Sequence, residues 1–488
     1  MTSTPAGDGP LSEPDAMHTS GTATDPSAPA PPAHGTRTFV HVLVNTALAN
    51  VTTSFLWFGI TFWIYLETRN VLATGVIGGA YMLLVAMFSM FFGTLVDRFR
   101  KKAVMVWATL VSLALFLVGG AYFFLVPHAD MVNLGLPHFW IFAIVMLTGA
   151  IAEQLRNIAL STTVTLLVPV DRRANANGMV GTVQGLAMLV TSVFSGLAIG
   201  QLGMGWTIVI SITALGLVFL HLLWLSIPEP KVLHVEEKTS WIDVKVGWRT
   251  VRSAPGLLML VLFTTLNNLV GGVYMALMDP YGLTLFSVEM WGIVFAIAST
   301  GFIIGGIVLA KFGLGRNPIR TMLLIAAFIG VVGGVFAIRE WAWLFVLGCW
   351  IYMAFIPAVE AAEQTVIQTV TPYEKQGRVF GFAMTFEAAA APITSFLIAP
   401  IAEFVIIPAL DTPEGQQSWA WLLGYGEARG IALVFLFAGL AAMVLALGAF
   451  LTPAYRLLSK QFMKAKEQAE ETEEAEKAIP GGNGSRSA

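Results

Sequence analysis

The sequence predicts an all-α integral membrane protein with twelve transmembrane helices arranged in two pseudo-symmetric six-helix bundles. Three observations support this prediction. Of 488 residues, 56% are hydrophobic and only 12% are charged, whereas soluble domains average about 25% charged residues. Apolar runs long enough to cross a bilayer recur along the chain, and landmarks of its first half return in the same order in its second half. A soluble fold is therefore excluded.

The apolar runs define the elements, because a helix needs about 20 apolar residues to cross the hydrocarbon layer. Twelve predicted spans satisfy this length: 39–66, 72–96, 103–126, 138–168, 176–202, 205–227, 256–279, 289–312, 319–338, 341–370, 377–408 and 428–452. Several exceed the minimum, which allows tilt or protruding ends.

Lysine and arginine set the predicted orientation, because they accumulate in cytoplasmic loops. If the N-terminus is cytoplasmic, only Arg69, Arg339 and Arg429 of the 27 Lys and Arg residues fall outside, and only Arg156 lies within a span. We therefore expect a multi-pass protein of the cell membrane with both termini in the cytoplasm.

The polar stretches divide the chain into five predicted segments. A Pro-, Ala-, Ser- and Thr-rich composition predicts a disordered N-terminal tail, because such a segment buries too little apolar area to offset ordering entropy. Between the halves, the 3–4 spacing of Trp241, Val244 and Trp248 allows an amphipathic helix on the inner membrane surface, or a simple linker. The segments are the tail 1–36, the first bundle 37–227, the linker 228–254, the second bundle 255–455 and a polar cytoplasmic tail 456–488.

Two constant offsets relate the halves. One pairs Gly79 with Gly292, Gly93 with Gly306 and Arg98 with Lys311, and the other pairs Pro169 with Pro372, Gly178 with Gly381 and Arg172 with Lys375. Such pairing indicates parallel repeats about an axis along the membrane normal. Asp97 has no counterpart, because Ala310 occupies the equivalent position.

The most informative segment is the charged loop between spans 2 and 3, Gly93-Thr94-Leu95-Val96-Asp97-Arg98-Phe99-Arg100-Lys101-Lys102. It resembles the loop signature Gly-x-x-x-Asp-Arg-x-Gly-Arg-Lys of the major facilitator superfamily, with Arg100 standing where the family usually has Gly. The resemblance extends over residues 38–455. It implies a solute transporter whose two halves rock about a central cavity.

Two further turns resemble the macrolide-efflux-like branch of that superfamily. One carries Leu-Val-Pro at 167–169 and Ala-Asn at 174–175, and the other carries Pro372 followed by Gly-Arg-Val at 377–379. This resemblance implies export of amphipathic, drug-like small molecules, driven by proton entry.

The polar residues inside the spans are the candidate site, because a charge at the bilayer centre costs at least about 2.5 kcal/mol. In the family, helices 1, 4, 7 and 10 line the cavity. The polar residues of this chain favour the same helices, and the predicted cavity residues are Asn45, Asn50, Gln154, Arg156, Asn157, Gln184, Asn267, Asn268 and Gln364.

Four carboxylates are the proton-coupling candidates: Glu153, Glu360, Glu363 and Glu387. Glu153 lies one helical turn from Arg156, so we expect it to be ionised and paired, and a purely structural ion pair is the alternative. Glu360 and Glu363 have no cation within one turn and are better placed to carry protons. The excess of acids over cations favours cationic or neutral substrates.

The charged loop has a second predicted role. In the family its Asp contacts the start of helix 11, where the positive end of the helix dipole favours an anion. The resemblance therefore implies a conformational latch on the cytoplasmic side, formed by Gly93, Asp97, Arg98, Arg100, Lys101, Lys102, Gly377 and Arg378. A topology anchor is the simpler role of Lys101 and Lys102.

The remaining expectations concern what the chain lacks. It contains no Walker-type phosphate loop, its seven His are scattered and its net charge is −3. We therefore expect no cofactor, no metal, no nucleic-acid partner and no enzymatic activity. The expected partners are a small-molecule substrate, protons and membrane lipids, with the monomer as the functional unit. A proton-coupled importer of a small nutrient and a lipid-handling transporter on the same fold remain open alternatives.

Overall fold

The computed structural model describes residues 34–68, 71–229, 255–426 and 428–478, with residue 32 and the short pieces 248–249 and 251–252. Within these ranges the chain is helical and contains no strand. The long helices are α1 (Gly35–Thr68), α2 (Val71–Arg98), α3 (Lys101–Leu125), α4 (Pro137–Leu167), α5 (Arg173–Gln201), α6 (Gly203–Trp224), α7 (Pro255–Leu285), α8 (Val288–Phe312), α9 (Pro318–Val335), α10 (Ala342–Val370), α11 (Gln376–Ile401), α12 (Arg429–Leu451) and α13 (Pro453–Ala478).

Eleven helices in the described part of the chain are long and apolar enough to cross a membrane. The predicted fifth span is α5, a 29-residue helix that is richer in Gly, Asn, Gln, Ser and Thr than its neighbours. It packs along α1 and α8. It is therefore a full-length helix of the bundle, although its composition is more polar.

The helices form two halves with matching contacts. In the first half α1 packs on α4, α5 and α6, and in the second α7 packs on α11 and α12 while α9 packs on α10 and α12. Between the halves, α2 packs against α11 and α5 packs against α8. The repeat relates α2 to α8 and α5 to α11, so it converts one of these two contacts into the other. This relation agrees with the predicted pseudo-symmetric fold.

The bundle has two unlike ends. We call the end that carries the connections 99–100, 168–172, 313–317 and 371–375 the motif end, and the opposite end the far end. At the motif end, buried apolar side chains of both halves join in one cluster, for example Val96 and Leu167 with Val379 and Phe380. At the far end, each half has a separate cluster. The halves are therefore closed together at the motif end and parted at the far end.

The predicted eleventh span is not one continuous helix. α11 contains Pro392 and Pro400 and ends at Ile401, and a wider π-helical turn at Ala402–Ile406 leads into the short helix Ile407–Asp411. Proline lacks the amide proton that a helix interior needs, so this proline-rich run cannot form the regular backbone hydrogen bonds of an α-helix. A further short helix, Pro413–Leu423, precedes α12.

The C-terminal segment is more ordered than a polar tail. α13 begins at Pro453, and its side chains Leu458, Phe462 and Ala465 are buried. It packs on α7, α10 and α12, and also reaches the turn Val170–Arg172 of the first half. The predicted N-terminal tail lies almost entirely outside the described residues. The same holds for the predicted linker helix, where only Trp248 of the three patterned residues Trp241, Val244 and Trp248 is described.

Candidate functional site

A cavity of about 680 Å³ lies between the halves. Residues of α1, α2, α4 and α5 form one wall, and residues of α7, α9, α10, α11 and α12 form the other. All four predicted carboxylates line it, together with Asn50, Gln154, Asn157, Gln184, Asn267, Asn268 and Gln364. The volume lies in the range of 300–1,000 Å³ that is typical of small-molecule sites.

The first-half wall is a chain of neutral hydrogen bonds. The amide of Asn50 donates to Asn157 Oδ1 at 2.9 Å, and Asn157 donates to Gln154 Oε1 at 2.9 Å. Gln154 in turn donates to the hydroxyl of Tyr81 at 2.8 Å. The ring of Tyr81 stacks on Trp57, with 4.6 Å between centroids. Apart from Glu153, whose counter-charge Arg156 lies behind the lining, this wall presents amide groups and aromatic surface.

The second-half wall is acidic. The Thr264 hydroxyl of α7 lies 3.1 Å from Glu363 Oε1 of α10 and 2.7 Å from Glu387 Oε1 of α11. Glu360 lies one turn before Glu363 on α10 and also lines the cavity. Three helices thus bring two carboxyl groups together around one hydroxyl, and sequence spacing alone could not pair Glu363 with Glu387.

No Lys, Arg or His belongs to the described residues that line the cavity. The nearest cation is Arg156, whose Nε lies 3.5 Å from Glu153 Oε1, with both side chains buried. Since opposite charges attract strongly where water is excluded, a cavity with this wall chemistry suits a cationic or neutral guest.

Two predicted cavity residues lie behind the wall. Arg156 donates to Asn45 Oδ1 and, at 2.5 Å, to Thr109 Oγ1 inside the first half. Asn45 also donates to the carbonyl of Val218 at 2.9 Å, so it joins α1 to α6. Arg156 and Asn45 are therefore outside the cavity lining, because the faces of α4 and α1 that carry them turn towards α3 and α6.

Asp97 contacts the start of α11. Its Oδ1 accepts the amide proton of Gly377 at 2.7 Å, and its Oδ2 accepts that of Arg378 at 2.9 Å. The Arg378 Nε lies 3.6 Å from Oδ2, and the Asp97 side chain is 1% exposed. A carboxylate at a helix N-terminus is favoured by the unpaired amides and the helix dipole. We call this the latch contact.

Glycines allow the helices to meet at the latch contact. A Cβ on Gly93 would lie 2.2 Å from the Gly377 carbonyl oxygen, and one on Gly381 would lie 2.4 Å from that of Ser89. At the symmetry-related crossing, a Cβ on Gly178 would lie 2.5 Å from the Ala310 amide. Four of the repeated glycines, Gly93, Gly178, Gly306 and Gly381, are therefore points of backbone contact between α2 and α11 and between α5 and α8, whereas Gly79 and Gly292 have no neighbour among the described residues within 4 Å of a Cβ.

The basic residues of the loop have different environments. Lys101 is buried, donates to the Val96 carbonyl at 2.6 Å, and its ammonium lies 4.9 Å from the Tyr373 ring centroid. Lys102 donates to the Leu223 carbonyl at 3.1 Å. Arg100, which replaces the usual glycine, is exposed at the start of α3, and Arg98 is half-buried. The sequence did not predict a role for Glu229, whose carboxylate accepts the backbone amide protons of Lys101 and Lys102 at 2.6 and 2.7 Å.

A buried polar cluster on the pseudo-symmetry axis was missed by the sequence reasoning. Arg173 donates to the Gln368 carbonyl at 2.9 Å, Asn177 donates to Gln368 Oε1 at 2.9 Å, and Thr165 donates to Gln376 Oε1 at 2.8 Å. We call Thr165, Arg173, Asn177, Gln368 and Gln376 the axial cluster. The repeat offset pairs Thr165 with Gln368 and Arg173 with Gln376. Polar residues at these repeated positions are the sequence signal that could have identified the axial cluster.

Two helical bundles around an acidic chamber, closed at one end by polar contacts, have the architecture of a multi-pass membrane transporter. The sequence profile of the Major Facilitator Superfamily matches residues 42–395. The chain therefore belongs to the Major Facilitator Superfamily, as its charged loop predicted, and it is a transporter and not an enzyme.

Named relatives are efflux proteins. The chain is 25% identical over 380 residues to Macrolide efflux protein A of Streptococcus pyogenes, covering 75% of this chain and 89% of that protein. It is 26% identical over 323 residues to Macrolide efflux protein A of Enterococcus faecalis, covering 63% and 94%. These matches agree with the branch resemblance read from the two turns.

Solved structures show the same fold. A bacterial homologue of the iron transporter ferroportin in an outward-facing state superposes with a TM-score of 0.62 at 14% identity, covering 85% of this chain and 100% of the other. The proton:xylose symporter XylE superposes with a TM-score of 0.61 at 14% identity, covering 88% and 99%. At this identity the likeness establishes the fold alone.

Proposed function

We propose that this protein exports amphipathic, drug-like small molecules from the cytoplasm in exchange for protons by alternating access. The observation that carries the proposal is the acidic wall of the cavity, where Glu360, Glu363 and Glu387 converge without a lining Lys, Arg or His among the described residues. The efflux function of the named relatives supports the direction, and the apolar and aromatic part of the lining supports amphipathic substrates.

In the proposed mechanism, protons and the cationic substrate compete for the same carboxyl groups. When Glu363 and Glu387 are deprotonated, they attract a cationic substrate that enters from the cytoplasm or the inner leaflet. When protons arrive from outside, the attraction disappears and the substrate leaves. A membrane potential contributes about 2.3 kcal/mol per charge per 100 mV, which drives uphill export when more charge enters than leaves.

The proposed orientation places the motif end in the cytoplasm, with both termini there, in the cell membrane. The structure, closed at the motif end, would then represent an outward-facing state. In that state the latch contact and the axial cluster hold the cytoplasmic side shut, and a single chain forms the whole pathway, so we expect the monomer to be the functional unit.

The test uses everted membrane vesicles from cells lacking their own drug pumps, with radiolabelled erythromycin, a macrolide with a basic amine. Respiration acidifies the vesicle interior, and we expect erythromycin to accumulate and a protonophore to abolish accumulation. Glu363→Gln and Glu360→Gln should reduce accumulation by roughly tenfold or more, since a positioned proton carrier typically contributes that much. Glu403→Gln is the matched control, because Glu403 is exposed and lies away from the cavity.

Two results would contradict the proposal. Accumulation that persists after the pH gradient is collapsed, with Glu363→Gln and Glu360→Gln equal to wild type, would remove the proton role. Uptake in right-side-out vesicles under an inward proton gradient would reverse the direction and favour the importer.

A further inference from the structure

The hydroxyl of Thr264 lies between two of the acids that line the cavity. It lies on α7, and its hydroxyl oxygen is within 3.1 Å of Glu363 on α10 and within 2.7 Å of Glu387 on α11. Its distances to the Leu260 and Val261 carbonyls of its own helix are both 3.2 Å. The shortest contact of this hydroxyl is thus with a carboxyl group of another helix.

A hydroxyl group carries one proton and accepts through its lone pairs, so it cannot donate to two carboxylates at once. If both glutamates were ionised, one of them would lack a donor here and the two negative charges would repel each other. With a single proton on the pair, every group is satisfied. The protonated glutamate donates to Thr264, and Thr264 donates to the ionised one.

The two acids differ in depth and exposure. Glu363 lies seven residues before the end of α10, about 10 Å from the motif end, whereas Glu387 lies eleven residues after α11 begins, about 16 Å from that end. Glu363 is only 9% exposed, while Glu387 is half-buried and faces the cavity. A proton from the cavity therefore meets Glu387 first.

We propose that Thr264 is the positioning residue of a one-proton relay, through which a proton received by Glu387 passes to the more deeply buried Glu363. In the step, the O–H bond of Glu387 breaks as its proton moves to Thr264 Oγ1, and the original hydroxyl proton moves to the Glu363 carboxylate. Thr264 is regenerated, one O–H bond has replaced another, and the charge has moved from Glu363 to Glu387.

Glu363 and Glu387 also contact each other directly through a side-chain hydrogen bond, so direct transfer between them is the competing path that the Thr264 variants test. Glu360 from α10 and the amides Asn267 and Asn268 from α7 face the same space, and Glu153 lines the opposite wall with Arg156 behind it. Asn268 donates to the Thr264 carbonyl at 3.1 Å, which fixes the backbone beside the hydroxyl. The relay is therefore built by three helices of the second half, α7, α10 and α11.

The test compares Thr264→Val and Thr264→Ser, with Thr265→Val as control, because the Thr265 hydroxyl bonds the Val261 carbonyl of its own helix at 2.7 Å. The inference depends on the proposed proton exchange, so purified full-length protein in liposomes is assayed twice with radiolabelled erythromycin. One assay measures exchange at equal pH, and the other measures accumulation driven by a pH gradient.

We expect Thr264→Val to lose gradient-driven accumulation by roughly tenfold or more, a much larger factor than its loss of equal-pH exchange, and to keep its thermal unfolding midpoint. Thr264→Ser and Thr265→Val should match wild type in both assays. Gradient-driven accumulation by Thr264→Val equal to wild type would overturn the relay. Equal loss of both activities would also overturn it, because the hydroxyl would then serve substrate contact or folding. Failure of wild type itself to respond to the gradient would instead refute the proposed proton exchange.

Discussion

At the residue scale, the buried pair of Glu153 and Arg156 belongs both to the cavity wall and to the packed interior of the first half. Glu153 lines the cavity, while Arg156 is fully buried and is held by Thr46, Thr109 and Asn45. Neither oxygen of the Glu153 carboxylate has a hydrogen-bond partner among the described residues, so Arg156 at 3.5 Å is its main stabilising neighbour. The pair therefore joins the cavity wall to the packing of the first half.

Arg156→Met should destabilise the protein strongly, because it leaves the Glu153 carboxylate buried without its counter-charge. Breaking a buried pair typically costs roughly 3–5 kcal/mol, and a lower thermal unfolding midpoint in detergent is the measurement. The double variant Glu153→Gln with Arg156→Met should recover most of the loss. A double variant as unstable as Arg156→Met alone would show that the arginine acts through its neutral partners instead.

At the scale of elements, α13 is the feature that the sequence pattern described least well. Its composition is rich in Lys, Glu and Ala, which suits a solvated helix, but three apolar side chains turn inwards. Leu458 packs so closely that a Cβ on Gly256 of α7 would lie 2.8 Å from it, and Ser459 lies 3.2 Å from Asn317. Because α13 also reaches the Val170–Arg172 turn, it braces both halves at the motif end.

Phe462→Ala should lower the unfolding free energy by about 3 kcal/mol, the usual cost of removing a buried phenylalanine. The measurement is thermal unfolding of the purified protein, with Lys464→Ala as control because Lys464 is exposed on the same helix. Equal stability of the two variants would mean that α13 does not dock as described.

At the scale of the whole molecule, the proposed function requires an equilibrium between two arrangements of the halves. The latch contact joins α2 of the first half to α11 of the second at the closed motif end. Its symmetry mate lacks the acid, and there Asn175 donates to the Ala310 carbonyl at 2.9 Å. The two related helix crossings thus differ, because one carries a charged contact and the other a neutral contact.

Asp97→Asn should shift the equilibrium towards the arrangement that is open at the motif end. The change removes the charge and one of the two acceptors, and hydrogen bonds to charged groups contribute roughly 1.5–3 kcal/mol, so the population should shift by about tenfold or more. The measurement is labelling of Ser161→Cys, in the cavity next to the axial cluster, by an impermeant maleimide applied from the motif side.

The control for the latch is Asp171→Asn, since Asp171 lies in the polar turn before α5, which the repeat relates to the turn before α11, and its side chain is exposed to solvent. Labelling of Ser161→Cys that is equally fast with Asp97→Asn and with Asp171→Asn would indicate that the latch contact does not set the equilibrium.

The sequence by itself determined the membrane-spanning class, the repeat and the superfamily, because these depend on composition, run length and local motifs. Tertiary structure alone decided which polar groups meet. Arg156 and Asn45 left the cavity lining, Thr264 joined Glu363 to Glu387, and the axial cluster appeared between residues far apart in the chain. The physical reason is that one residue turns a helix face by about 100°, so contacts between helices depend on rotation and tilt that local sequence does not encode.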